Sequence, residues 1–182
     1  MKAIFLSFII IAVIALGCTT QKEDYIFSNG LTELQAIEDK YNLSANTTSV
    51  QNLENGKIEL ILLRHKFDDY NETRDITALK SLTEFRVFYI DVQKNAKIGS
   101  DMMLNVNVSC ANNKTISEAL VYIDDSVENS QITANKFLEF KTNFPEYLNR
   151  TRINNNFDIY IIQIASNLNN SSTQIKMQLE SC

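Results

Sequence analysis

The feature that most constrains the fold is an alternation of apolar and polar residues in the second half of the chain. Residues 104–108 and 175–179 each place an apolar side chain at every second position. A period of two puts those side chains on one face of an extended strand. The pattern therefore predicts strands with one buried and one solvated face, as in an antiparallel sheet.

Four further segments have a composition that is typical of strands. They are residues 58–63, 85–92, 120–123 and 157–165. The polar segment NLNNSS, residues 167–172, separates the last of these from 175–179 and predicts a hairpin.

Three other segments space their apolar residues three or four apart, which predicts amphipathic helices. They are residues 31–41, 76–82 and 132–148. Pro145, the only proline of the chain, should kink or restart the third helix. The prediction is an α+β fold, with a mostly antiparallel sheet of about five to six strands and two or three helices packed on one face.

The N-terminal segment has the layout of a secretory signal. Lys2 is followed by residues 3–16, which are apolar apart from Ser7. Because a membrane-spanning helix needs about 20 apolar residues, this shorter run predicts a cleaved leader. The small residue Gly17 suits a signal peptidase, and Cys18 stands where the mature chain would begin.

The tetrapeptide Ala-Leu-Gly-Cys at 15–18 resembles the lipobox of bacterial lipoproteins, with the usual order of its first two residue types reversed. The resemblance implies that residues 1–17 are removed and that Cys18 is acylated. An ordinary secretory signal cut near Gly17 is the alternative. Each acyl methylene placed in the bilayer contributes about 0.8 kcal/mol, so a lipidated Cys18 would hold the protein on a membrane.

The residues after the cysteine give a second resemblance. Lys22, Glu23 and Asp24 resemble the short acidic export signal that Bacteroidota place after the lipidated cysteine of surface-exposed lipoproteins. This implies an outer-membrane, lipid-anchored protein, displayed on the cell surface or facing the periplasm. We expect residues 18–29 to form the lipidated cysteine and a polar tether, and residues 30–182 to form a single domain.

The two remaining cysteines, Cys110 and Cys182, belong to a chain bound for an oxidising compartment. If Cys18 is acylated, two cysteines remain, and an even number of cysteines favours a disulfide between them. By the chain-entropy relation such a bridge stabilises the fold by roughly 4 kcal/mol. Two unpaired thiols are the alternative.

The charge of the chain narrows the class of partner. The formal net charge is −5, and loss of a leader that contains Lys2 would make it one unit more negative. This balance disfavours nucleic acid and anionic lipid surfaces as partners. We therefore expect two kinds of partner. One is the membrane, which the protein contacts through its lipid, and the other is an envelope protein or a small molecule.

The sequence contains little that indicates catalysis or a cofactor. His65 is the only histidine, and the four glycines form no phosphate-binding loop. Asp68, Asp69 and Asp75 share a charged loop and are the best candidates for a calcium site. The loop does not match an EF-hand, because Arg74 stands where that motif needs glycine. A solvated loop is the preferred interpretation, and we expect no cofactor.

One modification motif is present. Asp125-Ser126-Val127 resembles the short acceptor motif for O-glycosylation in Bacteroidota. The resemblance implies that Ser126 carries a glycan and lies on an exposed loop.

Two functional hypotheses follow from these observations. The first is a lipid-anchored, non-catalytic binding or accessory module that recognises a protein or small-molecule partner of the envelope. It includes the case of an inhibitor or immunity protein. The second is a small hydrolase that works through Asp and Glu carboxylates, because carboxylate pairs cannot be recognised from sequence alone.

Overall fold

The structure is a computed structural model of the chain that describes residues 25–45, 47–104 and 106–180. Within those ranges the chain is helical and contains no strand. The predicted α+β fold with an antiparallel sheet is therefore wrong, and the domain is a helical bundle. Cys18 and the leader, the start of the predicted tether and Cys182 lie outside the described residues.

Six helices follow one another in the described part of the chain. They are α1 (residues 25–41), α2 (Val50–Lys66), α3 (Arg74–Met103), α4 (Asn113–Asn143), α5 (Pro145–Leu148) and α6 (Phe157–Glu180). Short 3-10 turns, Phe67–Asp69 and Cys110–Asn112, precede α3 and α4. None of the helices described combines the length and the hydrophobicity needed to cross a bilayer.

The break expected at Pro145 is confirmed, since α4 ends at Asn143 and α5 begins at the proline. Proline suits the first position of a helix because its missing N–H would have no partner there. The three segments predicted as helices are helical, apart from the break after Asn143.

The segments predicted as strands lie inside longer helices, except 104–108, whose described residues connect α3 to α4. Helix α6 shows the physical reason. Along one face of this helix, buried and half-buried side chains recur at alternating steps of four and three, at positions 161, 165, 168, 172, 175 and 179. Met177, which completed the apparent alternation, is 64% exposed. The helical period governs burial here, and the period of two is coincidental.

Helices α3 and α4 form an antiparallel pair along the length of the bundle. Residue numbers rise along α3 while those of the contacting residues on α4 fall. Phe85 packs against the Phe137 ring, and about two turns later the Val92 carbonyl accepts a hydrogen bond from Ser126 Oγ at 3.0 Å. Farther along, a Cβ atom placed on Gly99 would lie 2.7 Å from Ile123 Cγ1. Small residues therefore allow the two backbones to approach closely.

Two separate apolar cores flank this pair. The larger core lies where α1, α2 and α5 cover the first half of α3 and the second half of α4. The smaller core contains Ile116, Leu120 and Ile123 of α4 and is covered by Leu168 and Ile175 of α6. The bundle therefore has a broad end, which contains α1 and α2, and a narrow end of three helices.

A step separates the two ends of the bundle. The connection between α1 and α2 lies beside the middle of α3, where Gln93 Nε2 donates to the Leu43 carbonyl at 3.2 Å. Beyond this point α3 continues to Met103, packed along α4. The step is where the candidate site lies.

The predicted Cys110–Cys182 disulfide stays a prediction, because Cys182 lies outside the described residues. Cys110 lies in the 3-10 turn just before α4. Leu179, three residues before Cys182, packs against the smaller core together with Ile116 and Val106. The C-terminal part of α6 thus reaches the same end of the bundle as Cys110, which supports the pairing.

A buried ion pair joins α1 to α3 in the broad end. Arg86 Nε lies 2.7 Å from Glu38 Oε1, and the two side chains are 13% and 6% exposed. Burial raises the pKa of the Glu38 carboxyl, and the positive charges of Arg86 and Arg152 oppose that rise. The pair therefore depends on both partners, since either charge alone would be buried without compensation.

Removing one partner of this pair should cost more than removing both. Arg86→Met leaves the Glu38 carboxylate buried without its cation, and should lower the free energy of unfolding by about 3–5 kcal/mol. The double variant Glu38→Leu/Arg86→Met replaces the pair with apolar groups and should lose less. Denaturant unfolding of the single and double variants measures both changes, and additive losses would contradict the ion pair.

Candidate functional site

The aspartates proposed as metal ligands do not converge. The side chains of Lys80 and Arg64 bond to Asp68, at 2.9 and 2.7 Å, and lower the pKa of its carboxyl to about 2. Asp69 is exposed in the 3-10 turn, whereas Asp75 is 3% exposed inside the bundle. Across the described ranges, no three His, Cys, Asp or Glu side chains gather in an arrangement that could hold a metal ion.

Asp75 has a structural role at the broad end. Its carboxylate accepts hydrogen bonds from the Phe27 backbone N–H, at 3.2 Å, and from the Tyr147 hydroxyl. Burial and the hydrogen bond to Asp75 raise the pKa of Tyr147, so its hydroxyl remains a donor. These bonds hold the first described turn of α1 and the short helix α5 against the start of α3.

Ser126 lies in the middle of α4 and is fully buried against α3. The expectation of an exposed loop at this position is wrong, because the hydroxyl is used in the close contact between the two helices. The three residues of the acceptor motif do not show whether Ser126 is buried, because its burial depends on how α4 packs against α3.

The described carboxylates give the hydrolase hypothesis no support. A general acid needs a raised pKa and space for a substrate beside it. Glu38 has the raised pKa, but the void it borders is only about 10 Å³, and its carboxylate is paired with Arg86. Asp68 has the opposite shift, and Asp75 is occupied by its two donors.

A cleft suited to binding lies at the step, near the middle of the bundle. It has a volume of about 310 Å³, which is at the lower end of the range for ligand sites. The α1–α2 connection and the start of α2 form one wall, α3 forms the floor, and the first half of α6 forms the other wall. Its apolar lining is Leu53, Val92, Ala96 and Ile164, and its polar rim includes Thr48, Gln93 and Ser100.

Gln93 lines this cleft, and its side-chain amide is held against the α1–α2 connection. Its Nε2 atom donates to the Leu43 carbonyl, and because a carbonyl can only accept, this bond fixes the orientation of the amide. The Oε1 atom on the other side is buried and has no hydrogen-bond partner among the described residues. A buried acceptor of this kind costs roughly 1–3 kcal/mol unless a donor reaches it.

Two tyrosines, Tyr89 and Tyr160, line the same cleft. Burial, together with the nearby Tyr160, raises the pKa of Tyr89, and a hydrogen bond with the Gln93 side chain opposes that rise. Phe157, in the first turn of α6, packs edge-on against the Tyr89 ring at 5.0 Å and against Phe85 at 5.3 Å. This aromatic contact fixes the first turn of α6 and hence the position of Tyr160.

The cleft carries no net charge. Lys97 and Asp101, the two charged residues that line it, pair with each other at 3.4 Å. On either side, Lys57 pairs with Asp91 and Lys141 with Asp158. A phosphate or another anion would therefore find no uncompensated cation here.

Three large apolar side chains in the first turns of α6 are exposed. Ile159, Tyr160 and Ile162 are 53%, 49% and 55% exposed. Tyr160 also lines a second cleft of about 310 Å³, whose other residues include Asn154, Phe157 and Gln163. Tyr160 is thus a ridge between two neighbouring clefts, and we call the two clefts with this ridge the α6 surface.

None of the residues of the α6 surface was singled out from the sequence. A strand over residues 157–165, as the composition predicts, assigns no role to these exposed apolar side chains. The helical period would have separated Ile161 and Ala165, which are buried, from Ile159 and Ile162, which are not. The sequence gives no comparable signal for Gln93, whose role depends on where the α1–α2 connection ends.

Comparison with protein-family models, with curated proteins and with solved structures finds no match to this chain.

Proposed function

We propose that this protein is a lipid-anchored envelope protein with a non-catalytic binding function, and that the α6 surface is where it binds its partner. The observation that supports it most is the combination found at that surface. A formed cleft with a polar rim and exposed apolar side chains lie within one part of the bundle. Binding sites typically combine an apolar lining with a few placed polar groups.

The position of α1 fits an anchor at Cys18. Residues 19–24 separate the lipidated cysteine from Tyr25, and six residues reach at most about 20 Å. Helix α1 then runs about 25 Å, at 1.5 Å per residue, to the connection that borders the cleft. The anchor would therefore leave the cleft tens of ångströms from the bilayer, where a partner can reach it.

The lipid anchor is tested by replacing its sulfur. Cys18→Ser should abolish incorporation of radiolabelled palmitate and move the protein from the membrane pellet to the soluble fraction, because no acyl chains remain to be buried. Fractionation of cells that express either form measures both effects. Continued labelling and sedimentation of the Cys18→Ser form would contradict the anchor.

The binding surface is tested by photo-crosslinking in intact cells. A photoreactive amino acid at position 160 should crosslink to a discrete partner, whereas the same residue at position 70 should not. Tyr70 is a matched control because it is 46% exposed and lies at the opposite end of α2 from the step. Gel mobility and mass spectrometry identify the products.

A second change tests whether the crosslink depends on the cleft. Ala96→Trp should fill the floor of the cleft and remove the crosslink from position 160. Equal products at positions 160 and 70, or a crosslink that survives Ala96→Trp, would contradict a partner bound at the α6 surface.

A further inference from the structure

We propose that the end of the bundle where α1 begins lies against the surface of a lipid bilayer, with Tyr25 and Tyr70 among the headgroups. We call the surface formed by Tyr25, Asn29, Tyr70 and the hollow between them the entry face. The inference rests on the lipid anchor of the proposed function and states how the anchored domain is oriented. It follows from where the chain enters the bundle, from the two exposed rings and from the pairing of the charges around them.

The chain enters the bundle at this end. Tyr25 lies in the first described turn of α1, and residues 19–24 separate it from the proposed lipid at Cys18. Six residues reach at most about 20 Å. The acyl chains therefore keep the start of α1 close to the bilayer in every orientation of the domain, so this end meets lipid more often than any other part of it.

Two exposed tyrosines lie together at the same end. Tyr25 is 67% exposed and Tyr70 is 46% exposed. Both line one hollow of about 160 Å³, whose other residues include the buried Gly30, Phe67 and Ile76. The two rings thus stand on one face of the bundle, although α2 and most of α1 separate them in the chain.

Tyrosine suits the boundary between hydrocarbon and water. Its ring is apolar and its hydroxyl can form hydrogen bonds, so tyrosine is enriched where membrane proteins pass through the headgroups. Pointed at bulk water, the two rings leave their apolar surface hydrated. Against a bilayer the rings are covered, and the hydroxyls still reach water and lipid oxygens. A bilayer therefore matches the chemistry of the entry face.

The charges around the entry face compensate one another. Lys66 lies 2.7 Å from Glu33, and Arg74 lies 2.6 Å from Glu146. The side chains that bond to Asp68 have a carboxylate partner in the same way. None of these cations is left to attract an anionic lipid, and the net charge of the chain is −5. The expected partner is therefore a zwitterionic bilayer, contacted through the rings.

This orientation leaves the α6 surface accessible. Helix α1 runs about 25 Å from the entry face to the connection that borders the cleft. A domain that stands on the entry face points its long helices away from the bilayer. The cleft and Tyr160 then face the aqueous compartment, where the proposed binding partner can reach them.

The test uses tryptophan as a reporter of contact with lipid. The chain contains no tryptophan, so a single introduced one reports on its own surroundings. The full-length lipidated protein that carries Tyr70→Trp is reconstituted in phosphatidylcholine vesicles, with or without bromine on the acyl carbons nearest the headgroup. Bromine quenches tryptophan on contact, so the brominated lipid should lower the fluorescence about twofold if the ring lies at the headgroups.

Tyr160→Trp is the matched control, because Tyr160 is 49% exposed and lies beside the cleft. Its fluorescence should be the same in both kinds of vesicle. Tyr25→Trp should be quenched like Tyr70→Trp, and it gives an independent result if circular dichroism shows that Tyr70→Trp is misfolded. Absence of quenching at positions 25 and 70, or equal quenching at position 160, would overturn the proposal.

A second copy of the chain is the rival occupant of the entry face. It would shift the emission of Tyr70→Trp to shorter wavelength without quenching by brominated lipid, and the shift would grow with the ratio of protein to lipid. That result would also overturn the proposal.

The Cys18→Ser background separates the orientation from the anchor. Quenching of Tyr70→Trp should be lost there, because two rings alone bind a bilayer too weakly to hold the domain on it. If Cys18 incorporates palmitate but Tyr70→Trp is not quenched, the anchor stands and the orientation is wrong. If quenching persists with Cys18→Ser, the entry face stands and the anchor is wrong. If neither palmitate nor quenching is found, both are wrong.

Discussion

Gly99 lies so close to α4 that a Cβ atom would meet Ile123 Cγ1 at 2.7 Å and the Ala119 carbonyl oxygen at 3.0 Å. This contact, with the Ser126 hydroxyl bonded to the Val92 carbonyl, holds the two longest helices of the described chain together. The other long helices pack on that pair, α2 on α3 and α6 on α4. Small residues at the contact therefore determine where the apolar faces of the remaining helices can lie.

Unequal helix lengths produce the candidate site. Helix α3 has 30 residues and α2 has 17, so the α1–α2 connection ends beside the middle of α3. The exposed floor of the cleft is the part of α3 just beyond that point. Phe157 then places the first turn of α6 across the gap, through ring contacts with Phe85 and Tyr89. The cleft is thus a consequence of how the core is built, and Gln93 lies where the larger core ends.

Part of this architecture could be predicted from the sequence. The apolar spacing of residues 31–41 and 76–82 and the break at Pro145 were predicted correctly, because bulky side chains mark the buried face in each. Helix α6 was mistaken for two strands, because its seam includes Ala165 and Ser172, small residues that do not register as an apolar stripe. The cleft could not be predicted from the sequence, because it depends on the relative lengths and register of helices far apart in the chain.

The most direct measurement is the change in the free energy of unfolding caused by Gly99→Ala. At an open site inside a helix, alanine stabilises by about 1 kcal/mol over glycine. At this contact the added methyl group must displace Ile123 or the α4 backbone, and overpacking of that kind costs about 1–3 kcal/mol. Ser100→Ala, at the exposed neighbouring position, should be neutral or stabilising. The account predicts that Gly99→Ala lowers the free energy of unfolding, and a gain of about 1 kcal/mol would contradict the close pairing of α3 and α4.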